Sequence, residues 1–170
     1  LKSNQFDRHG NKIFAVADIG AGTVDSALFE VVPERGRWNF VFYTNHVQPF
    51  GVMNLHRARV EWWIHALRSI EENHPLIEAF KSVEWPTDRM TSLPEAVEGY
   101  VKNAELTFSD QEHNPDRSFY KKKVLALVQG KTIWRAWKDG FLEQRELEGV
   151  PIFLCGGGSR MSYYGQLRTD

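Results

Sequence analysis

The stretch FAVADIGAGTVDSALFEVV, residues 14–32, decides the fold class of this chain. Residues 12–18 are apolar and small, which is typical of a buried strand, and residues 24–32 predict a second strand. The two strands are joined through DIGAGTVD, residues 18–25, in which two glycines and a threonine lie between two aspartates. A hairpin turn alone does not need so many special residues. We therefore interpret this turn as a cradle for phosphate groups.

The chemistry of the turn suits an anion with a metal ion beside it. Gly20 and Gly22 allow a positive φ and carry no side chain, so successive amides can point at one anion. Thr23 adds a hydroxyl, and Asp18 can hold Mg²⁺ through water. Asp25 can orient the loop or a water. A tight hairpin with both aspartates as turn formers is the alternative. A P-loop and a Rossmann motif are excluded, because no Gly-Lys-Ser/Thr follows and a strand follows the glycines.

A second glycine cluster, in FLCGGGSRM, follows an apolar run near the C-terminus. Residues 150–155 predict a buried strand, which would leave Cys155 inert. After it come the residues that we expect to form a turn and open a helix: Gly156, Gly157, Gly158, Ser159 and Arg160. Three glycines let a flat ring lie on the backbone, a helix N-terminus favours an anion, and a guanidinium can stack on adenine. A flexible turn with Arg160 in a surface ion pair is the alternative.

The remaining pattern predicts an α/β chain with a mixed sheet. Residues 38–47 read as a third strand after a turn at PERGRW, so the first three strands form an antiparallel meander. Helical periodicity predicts a helix over roughly residues 52–72. From Ser118 we expect a second long helix with one apolar stripe, formed by Tyr120, Val124, Leu127, Trp134, Trp137 and Phe141. A strand and a helix close the chain.

Composition limits the class of protein. A chain of 170 residues is about one domain, and a net charge of −1 gives no sign of a nucleic-acid partner. No apolar run is long enough for a membrane span, and a single cysteine fits a reducing compartment, so we expect a cytoplasmic location and no membrane partner. The sequence does not begin with Met, and we expect a fragment or a processed form.

The two glycine motifs together resemble those of a known superfamily. DIGAGTVD is similar to the second phosphate motif of the actin, sugar-kinase and heat shock protein 70 superfamily, and FLCGGGSRM resembles its adenosine motif. Asp18 and Gly156 are 138 residues apart, close to the separation in the heat shock protein 70 (DnaK) type. The resemblance implies one ribonuclease H-like lobe, with a core of about residues 12–72 and 118–170 and an insert of about residues 73–117.

The resemblance also implies a site for ATP or ADP with Mg²⁺. The phosphate side would be Gly20, Ala21, Gly22 and Thr23, and the adenosine side would be Gly156, Gly157, Gly158, Ser159 and Arg160. Asp18 would be the catalytic and metal-binding carboxylate, and Gly51 in PFGVMN would lie near the nucleotide. Glu98 and Lys102 resemble a pair that holds the ribose and base, although an exposed helical salt bridge is the interpretation we favour.

Two departures from the family pattern matter. Ala21 replaces a common glycine, and its methyl group can narrow the loop. The first lobe, with its phosphate loop and the groups that position the attacking water, has no counterpart in this chain. Because phosphoryl transfer needs positioning and charge from both sides, we expect this chain alone to be inactive. The missing lobe would be its partner in a longer protein.

Several parent proteins fit these observations. The leading interpretation is the nucleotide-binding lobe of a chaperone ATPase that resembles heat shock protein 70 and acts on a protein client. The alternatives are a filament-forming actin-like protein, a sugar- or acetate-kinase-like phosphotransferase, and a degenerate scaffold that does not hydrolyse ATP. The motif separation, together with Thr23 and Asp25, favours the first.

Overall fold

A four-stranded mixed sheet forms the centre of the computed structural model, which describes residues 12–72, 74–84 and 115–168. Its strands are β1 (Ile13–Ile19), β2 (Val24–Glu34), β3 (Arg37–Gln48) and β4 (Ile152–Cys155). The strand order is β3-β2-β1-β4. β1, β2 and β3 form an antiparallel meander, and β4 lies parallel to β1. The predicted meander and mixed sheet are confirmed, and the arrangement is consistent with a ribonuclease H-like lobe.

The connection between β2 and β3 is shorter than the turn predicted at PERGRW. Only Arg35 (φ 46°) and Gly36 (φ 79°) leave the ladder, and Glu34 pairs directly with Arg37. A two-residue turn with positive φ at both positions matches the twist of the flanking strands, so the ladder continues up to it. Pro33 therefore lies within β2 but beyond the residues that pair with β1. No hydrogen bond to β1 requires an amide at this position.

The helices follow the predicted order, with the long second helix beginning earlier than Ser118. They are α1 (Val52–Ile70), α2 (Leu76–Ser82), α3 (Pro115–Phe119), α4 (Trp134–Lys138) and α5 (Ser162–Gly165). A π-helical segment, Tyr120–Ile133, joins α3 to α4, and we call residues 115–138 the long helix. Short 3-10 turns cover Gln144–Leu147, Gly157–Arg160 and Gln166–Arg168. None of the helices described is long and apolar enough to cross a membrane.

The main core lies between the sheet and the helices. Alternate residues of β1, Ala15, Ala17 and Ile19, are fully buried against it. Leu55 from α1 and Leu127 from the long helix fill the opposite side. The buried residues of β1 alternate with those that point to the other face of the sheet.

The other face of the sheet carries a cluster of phenylalanine rings. Neighbouring ring centroids lie 5.5 to 6.1 Å apart, and the members are Phe14, Phe29, Phe40, Phe42 and Phe153. Phe42 is 61% exposed. Cys155 shares this face, because its partner in the parallel ladder is the exposed Asp18. The expectation of a buried, shielded thiol is therefore wrong: Cys155 is exposed.

The apolar stripe predicted for the long helix holds only over its first half. Tyr120, Val124 and Leu127 are buried, whereas Trp134 and Trp137 are about two-fifths exposed. The i→i+5 hydrogen bonding of the π segment places more residues in each turn than an α-helix does. The buried face is therefore rotated after it, and a small residue, Ala136, replaces the predicted tryptophans in the core.

A buried ion pair joins α1 to the start of the long helix. Arg59 Nε lies 2.8 and 3.1 Å from the two carboxylate oxygens of Asp116, and Arg59 Nη2 also donates to Asp116. Tyr164 lies nearby and donates from its hydroxyl to the Phe50 carbonyl over 3.2 Å. Burial raises the pKa of Tyr164, with Arg59 opposing and Asp116 adding to the shift. This cluster ties the last helix to the start of α1.

Of the predicted insert, only α2 and a few residues at its end are described. The Glu98–Lys102 pair lies outside the described residues. α2 packs on α1, where the rings of Trp63 and Phe80 stack at 6.4 Å.

Replacing Asp116 with alanine is expected to lower the free energy of unfolding by roughly 3–5 kcal/mol, because it leaves the guanidinium of Arg59 buried without its carboxylate. Removing an exposed partner is the matched control: Glu78→Ala breaks the surface pair with Lys81 and should change stability by less than about 1 kcal/mol. Urea denaturation followed by circular dichroism measures both. Equal effects of the two variants would contradict this assignment.

Candidate functional site

The loop of residues 20–23 between β1 and β2 is held from behind by the N-terminus of α1. The Val52 amide donates to the Gly20 carbonyl over 3.1 Å, and the Met53 amide donates to the Ala21 carbonyl over 2.8 Å. A helix begins with amides that have no partner within the helix. Here those donors are satisfied by the loop.

The third carbonyl of the loop has two donors. Gly22 O accepts from the Gly51 amide at 3.2 Å and from Asn54 Nδ2 at 2.8 Å. A further hydrogen bond, from the Gly20 amide to the Thr23 carbonyl at 2.9 Å, closes the loop. The loop is therefore fixed in one conformation by five hydrogen bonds through its own carbonyls.

This bonding fixes the direction of the loop amides. In a trans peptide unit the carbonyl and the following amide point in opposite directions, and no peptide bond in the described residues is cis. The carbonyls of residues 20–22 point at α1, so the amides of Ala21, Gly22 and Thr23 point away from it. These residues are exposed, and their amides donate to no described group. Three adjacent free amides on one side of a loop can bind an anion.

Gly51 lies directly against the loop, on its α1 side. It is buried, and a Cβ there would lie 2.6 Å from each of three loop atoms: Gly20 O, Ala21 O and Thr23 N. The family resemblance implies a position near the nucleotide for Gly51. In the structure it supports the loop from the α1 side, where only a glycine lets the helix approach this closely.

The second glycine cluster lies directly beside the first. Asp18 pairs with Cys155 in the parallel ladder, so the chain leaves β4 next to the end of β1. Gly156 has φ 77°, and a Cβ there would overlap Asp18 Oδ1 and Ile19 O. At Gly158 a Cβ would lie 2.6 Å from the Ile19 side chain. The structure thus brings the two motifs together.

Gly157 differs from its neighbours. No atom lies within 4 Å of a Cβ built at this residue, and the residue is exposed. The absence of a side chain at Gly157 is therefore not required by the packing of the described residues. It leaves open space over the backbone, as a site for a flat ring requires.

Ser159 and Arg160 do not open an α-helix as predicted. They end the 3-10 turn Gly157–Arg160, and α5 begins only at Ser162 and has four residues. Ser159 Oγ donates to the Gly156 carbonyl over 2.7 Å, so its hydroxyl closes the turn. A glycine-rich segment with this hydrogen bond favours a tight turn over a helix, and the expected anion site at a helix N-terminus is absent here. Arg160 is exposed, with no carboxylate of the described residues in ion-pair distance.

Asp18 and Asp25 are direct partners across the β1–β2 ladder, and both are exposed. Cross-strand partners share a face of the sheet, so the two carboxylates stand side by side next to the loop. The described residues contain no group of three or more potential metal ligands. One or two carboxylates suit Mg²⁺ that keeps its waters and is bound together with a phosphate, and they do not suit a metal bound by protein alone.

No family model matches the chain, and no curated protein matches it either. Among solved structures, the chain is similar to ParM of Bacillus thuringiensis in its apo form, at 19% identity and a TM-score of 0.37. The match covers 95% of this chain and 37% of the ParM chain, so this chain spans well under half of that protein's length. A likeness at this TM-score carries no argument about the site, which is interpreted from its own geometry.

Gly51→Ala is expected to destabilise the protein by about 1–3 kcal/mol, because the added methyl group must displace loop backbone. Gly157→Ala is the matched control, since its methyl group meets open space, and should change stability by no more than about 0.5 kcal/mol. Thermal and urea denaturation of both variants measure this. A Gly51→Ala protein as stable as Gly157→Ala would show that α1 does not hold the loop as described.

Proposed function

We propose that this chain is the adenine-nucleotide-binding lobe of an actin-like ATPase. The observation that carries the proposal is the set of three adjacent, exposed amides at Ala21, Gly22 and Thr23, next to the glycine-rich end of β4. The loop receives the phosphates, and the segment Gly157–Arg160 receives the adenosine.

The phosphate side works through fixed backbone dipoles. The amides of Ala21, Gly22 and Thr23 need no rearrangement to donate to an anion, because α1 already holds the loop carbonyls. A hydrogen bond to a charged group contributes about 1.5–3 kcal/mol net. Ala21 is exposed, and no hydrogen bond to a described group occupies the three donors. The sequence departure at this residue is therefore compatible with phosphate binding.

Asp18 supplies the metal side of the site. Its carboxylate lies beside Gly156, between the loop and the second glycine cluster. Mg²⁺ bound with the nucleotide would neutralise phosphate charge, and Asp18 would orient its waters. Asp25, the neighbour of Asp18 across the ladder, adds a second negative charge that favours a cation at this point.

The adenosine side depends on open backbone and one free cation. Gly157 leaves space for a flat ring, and Arg160 is exposed without an ion-pair partner among the described residues. A guanidinium plane in this position stacks on a purine. Ser159 acts through its bond to Gly156, which shapes the turn, and its hydroxyl is therefore a structural group.

We assign nucleotide binding to this chain and ATP hydrolysis to a longer protein that contains both lobes. Beside the loop, the described residues supply the two carboxylates of Asp18 and Asp25. Phosphoryl transfer needs charge stabilisation from the second side as well. The missing first lobe is therefore the proposed partner, and this chain alone should hydrolyse ATP very slowly.

The type of parent protein is a separate question. The heat shock protein 70 type, with its protein client, depends on the motif separation together with Thr23 and Asp25. The likeness to ParM agrees better with the actin-like alternative, but at a TM-score of 0.37 it does not decide between them. The proposed site is compatible with either type.

Calorimetric titration with Mg-ADP, Mg-ATP and adenosine tests the proposal. We expect both nucleotides to bind and adenosine to bind at least tenfold more weakly, because it lacks the phosphates. Gly157→Asp adds bulk and negative charge in the open space of the site and should reduce nucleotide affinity at least tenfold. Gly130→Asp is the matched control: it also meets no atom within 4 Å, but it lies on the long helix.

Circular dichroism of each variant confirms folding before the titration. If the chain alone shows no binding, the titration is repeated on a protein that contains both lobes. Absence of adenine-nucleotide binding there, or equal loss of affinity in Gly157→Asp and Gly130→Asp, would contradict the proposal.

A further inference from the structure

A groove of about 670 Å³ lies between strand β3 and the long helix, and none of its lining residues belongs to the two glycine clusters. We call it the β3 groove. Its strand side is residues 43–46, and its helix side is formed by Gly130, Lys131, Arg135, Lys138 and Asp139. Thr44 fixes the distance between the two sides, because its hydroxyl donates to the Thr132 carbonyl over 2.8 Å.

β3 is an edge strand with a free side. It pairs with β2, and no other described strand pairs with its outer edge. Alternate residues of an edge strand direct amides and carbonyls away from the sheet, where another strand can bind them. The strand is 12 residues long and contains no proline or lysine, and its one charged residue, Arg37, is at its first position. Proline and lysine, two of the residues that commonly block edge pairing, are therefore absent along the groove, and the register with β2 shifts by one residue at Tyr43.

The helix side of the groove is basic. Lys131, Arg135 and Lys138 recur at four and three residues, which places them on one side of the helix. Arg135 is paired with Asp139 at 2.7 Å, whereas neither Lys131 nor Lys138 has an ion-pair partner among the described residues. Three cations and one carboxylate leave a net charge of +2 before His46 on the strand side is counted.

We propose that the β3 groove binds an acidic, extended peptide as an added β-strand. The free edge of β3 would pair with the peptide backbone, and side chains at alternate peptide positions would face the helix. Glutamate or aspartate at those positions complements Lys131 and Lys138. An added acidic strand would use both sides of the groove: the open edge of β3 on one side, and Lys131 and Lys138 on the other.

Charge disfavours a second copy of the chain as the occupant. Pairing β3 with β3 of another copy would bring two basic grooves together, with their lysines facing each other. A nucleic acid would satisfy the charge, but it would leave the amides and carbonyls of the edge unused. A peptide with alternating acidic residues satisfies both.

Fluorescence anisotropy with labelled ten-residue peptides tests the proposal. The probe alternates glutamate with threonine, and three controls accompany it: a peptide of the same composition with its glutamates in one block, an alternating lysine–threonine peptide, and a single-stranded oligonucleotide of equal charge. We expect the alternating glutamate peptide to bind, the block peptide and the oligonucleotide to bind at least tenfold more weakly, and the lysine peptide not to bind.

Charge reversal locates the site. The double variant Lys131→Glu, Lys138→Glu should weaken binding of the alternating peptide at least tenfold. Its matched control is Lys121→Glu, Lys122→Glu, which changes the same net charge at exposed lysines of the same long helix, outside the groove. The control should bind as the parent chain does, and nucleotide titrations should be unaffected in both, because the four lysines lie outside the two glycine clusters.

Nuclear magnetic resonance adds a readout for strand pairing. On peptide binding, those amides of residues 43–46 that point away from β2 should become protected from hydrogen exchange. Three results would overturn the proposal: no binding of the alternating peptide, equal loss in the two double variants, or equal affinity for the block peptide or the oligonucleotide. The last would show a general anion surface with no strand addition.

Discussion

The hydrogen bonds from the N-terminus of α1 to the carbonyls of loop 20–23 are the constraint on which the site depends. They satisfy the helix donors that would otherwise lack partners, and they turn the loop amides outward. Gly51 makes this possible, since a Cβ would lie 2.6 Å from three loop atoms. The positive end of the helix therefore acts on the loop, and the amides of Ala21, Gly22 and Thr23 are left without described partners.

The parallel pairing of β4 with β1 brings together two motifs that are far apart in the chain. Asp18 and Gly156 are 138 residues apart in the sequence, yet the chain leaves β4 against the end of β1. The glycines there have different roles. Gly156 and Gly158 are required by close packing on Ile19, whereas Gly157 faces open space. Of the three, only Gly157 leaves the open space expected of a ligand position. A substitution at Gly157 therefore tests nucleotide binding without unfolding the protein.

Strand and helix order could be predicted from the sequence because short apolar runs mark buried strands and helical spacing marks the buried side of a helix. The proximity of the two glycine motifs was predicted through a resemblance, and the structure places them together. Three features could not be predicted. The π segment changes the buried face of the long helix, Cys155 is exposed because of which sheet face it shares, and Gly51 lies against the loop on its α1 side. Each depends on hydrogen bonding or on packing between distant segments. The same holds for the β3 groove, whose two sides are about ninety residues apart.

Hydrogen exchange of individual amides, measured by nuclear magnetic resonance with and without Mg-ADP, tests the central claim most directly. In the free protein, the amides of Val52 and Met53 should be protected by the loop carbonyls, and those of Ala21, Gly22 and Thr23 should exchange rapidly. Mg-ADP should slow exchange at the three loop amides and leave the two helix amides unchanged. Rapid exchange at Val52 and Met53, or loop amides that Mg-ADP does not affect, would contradict the account.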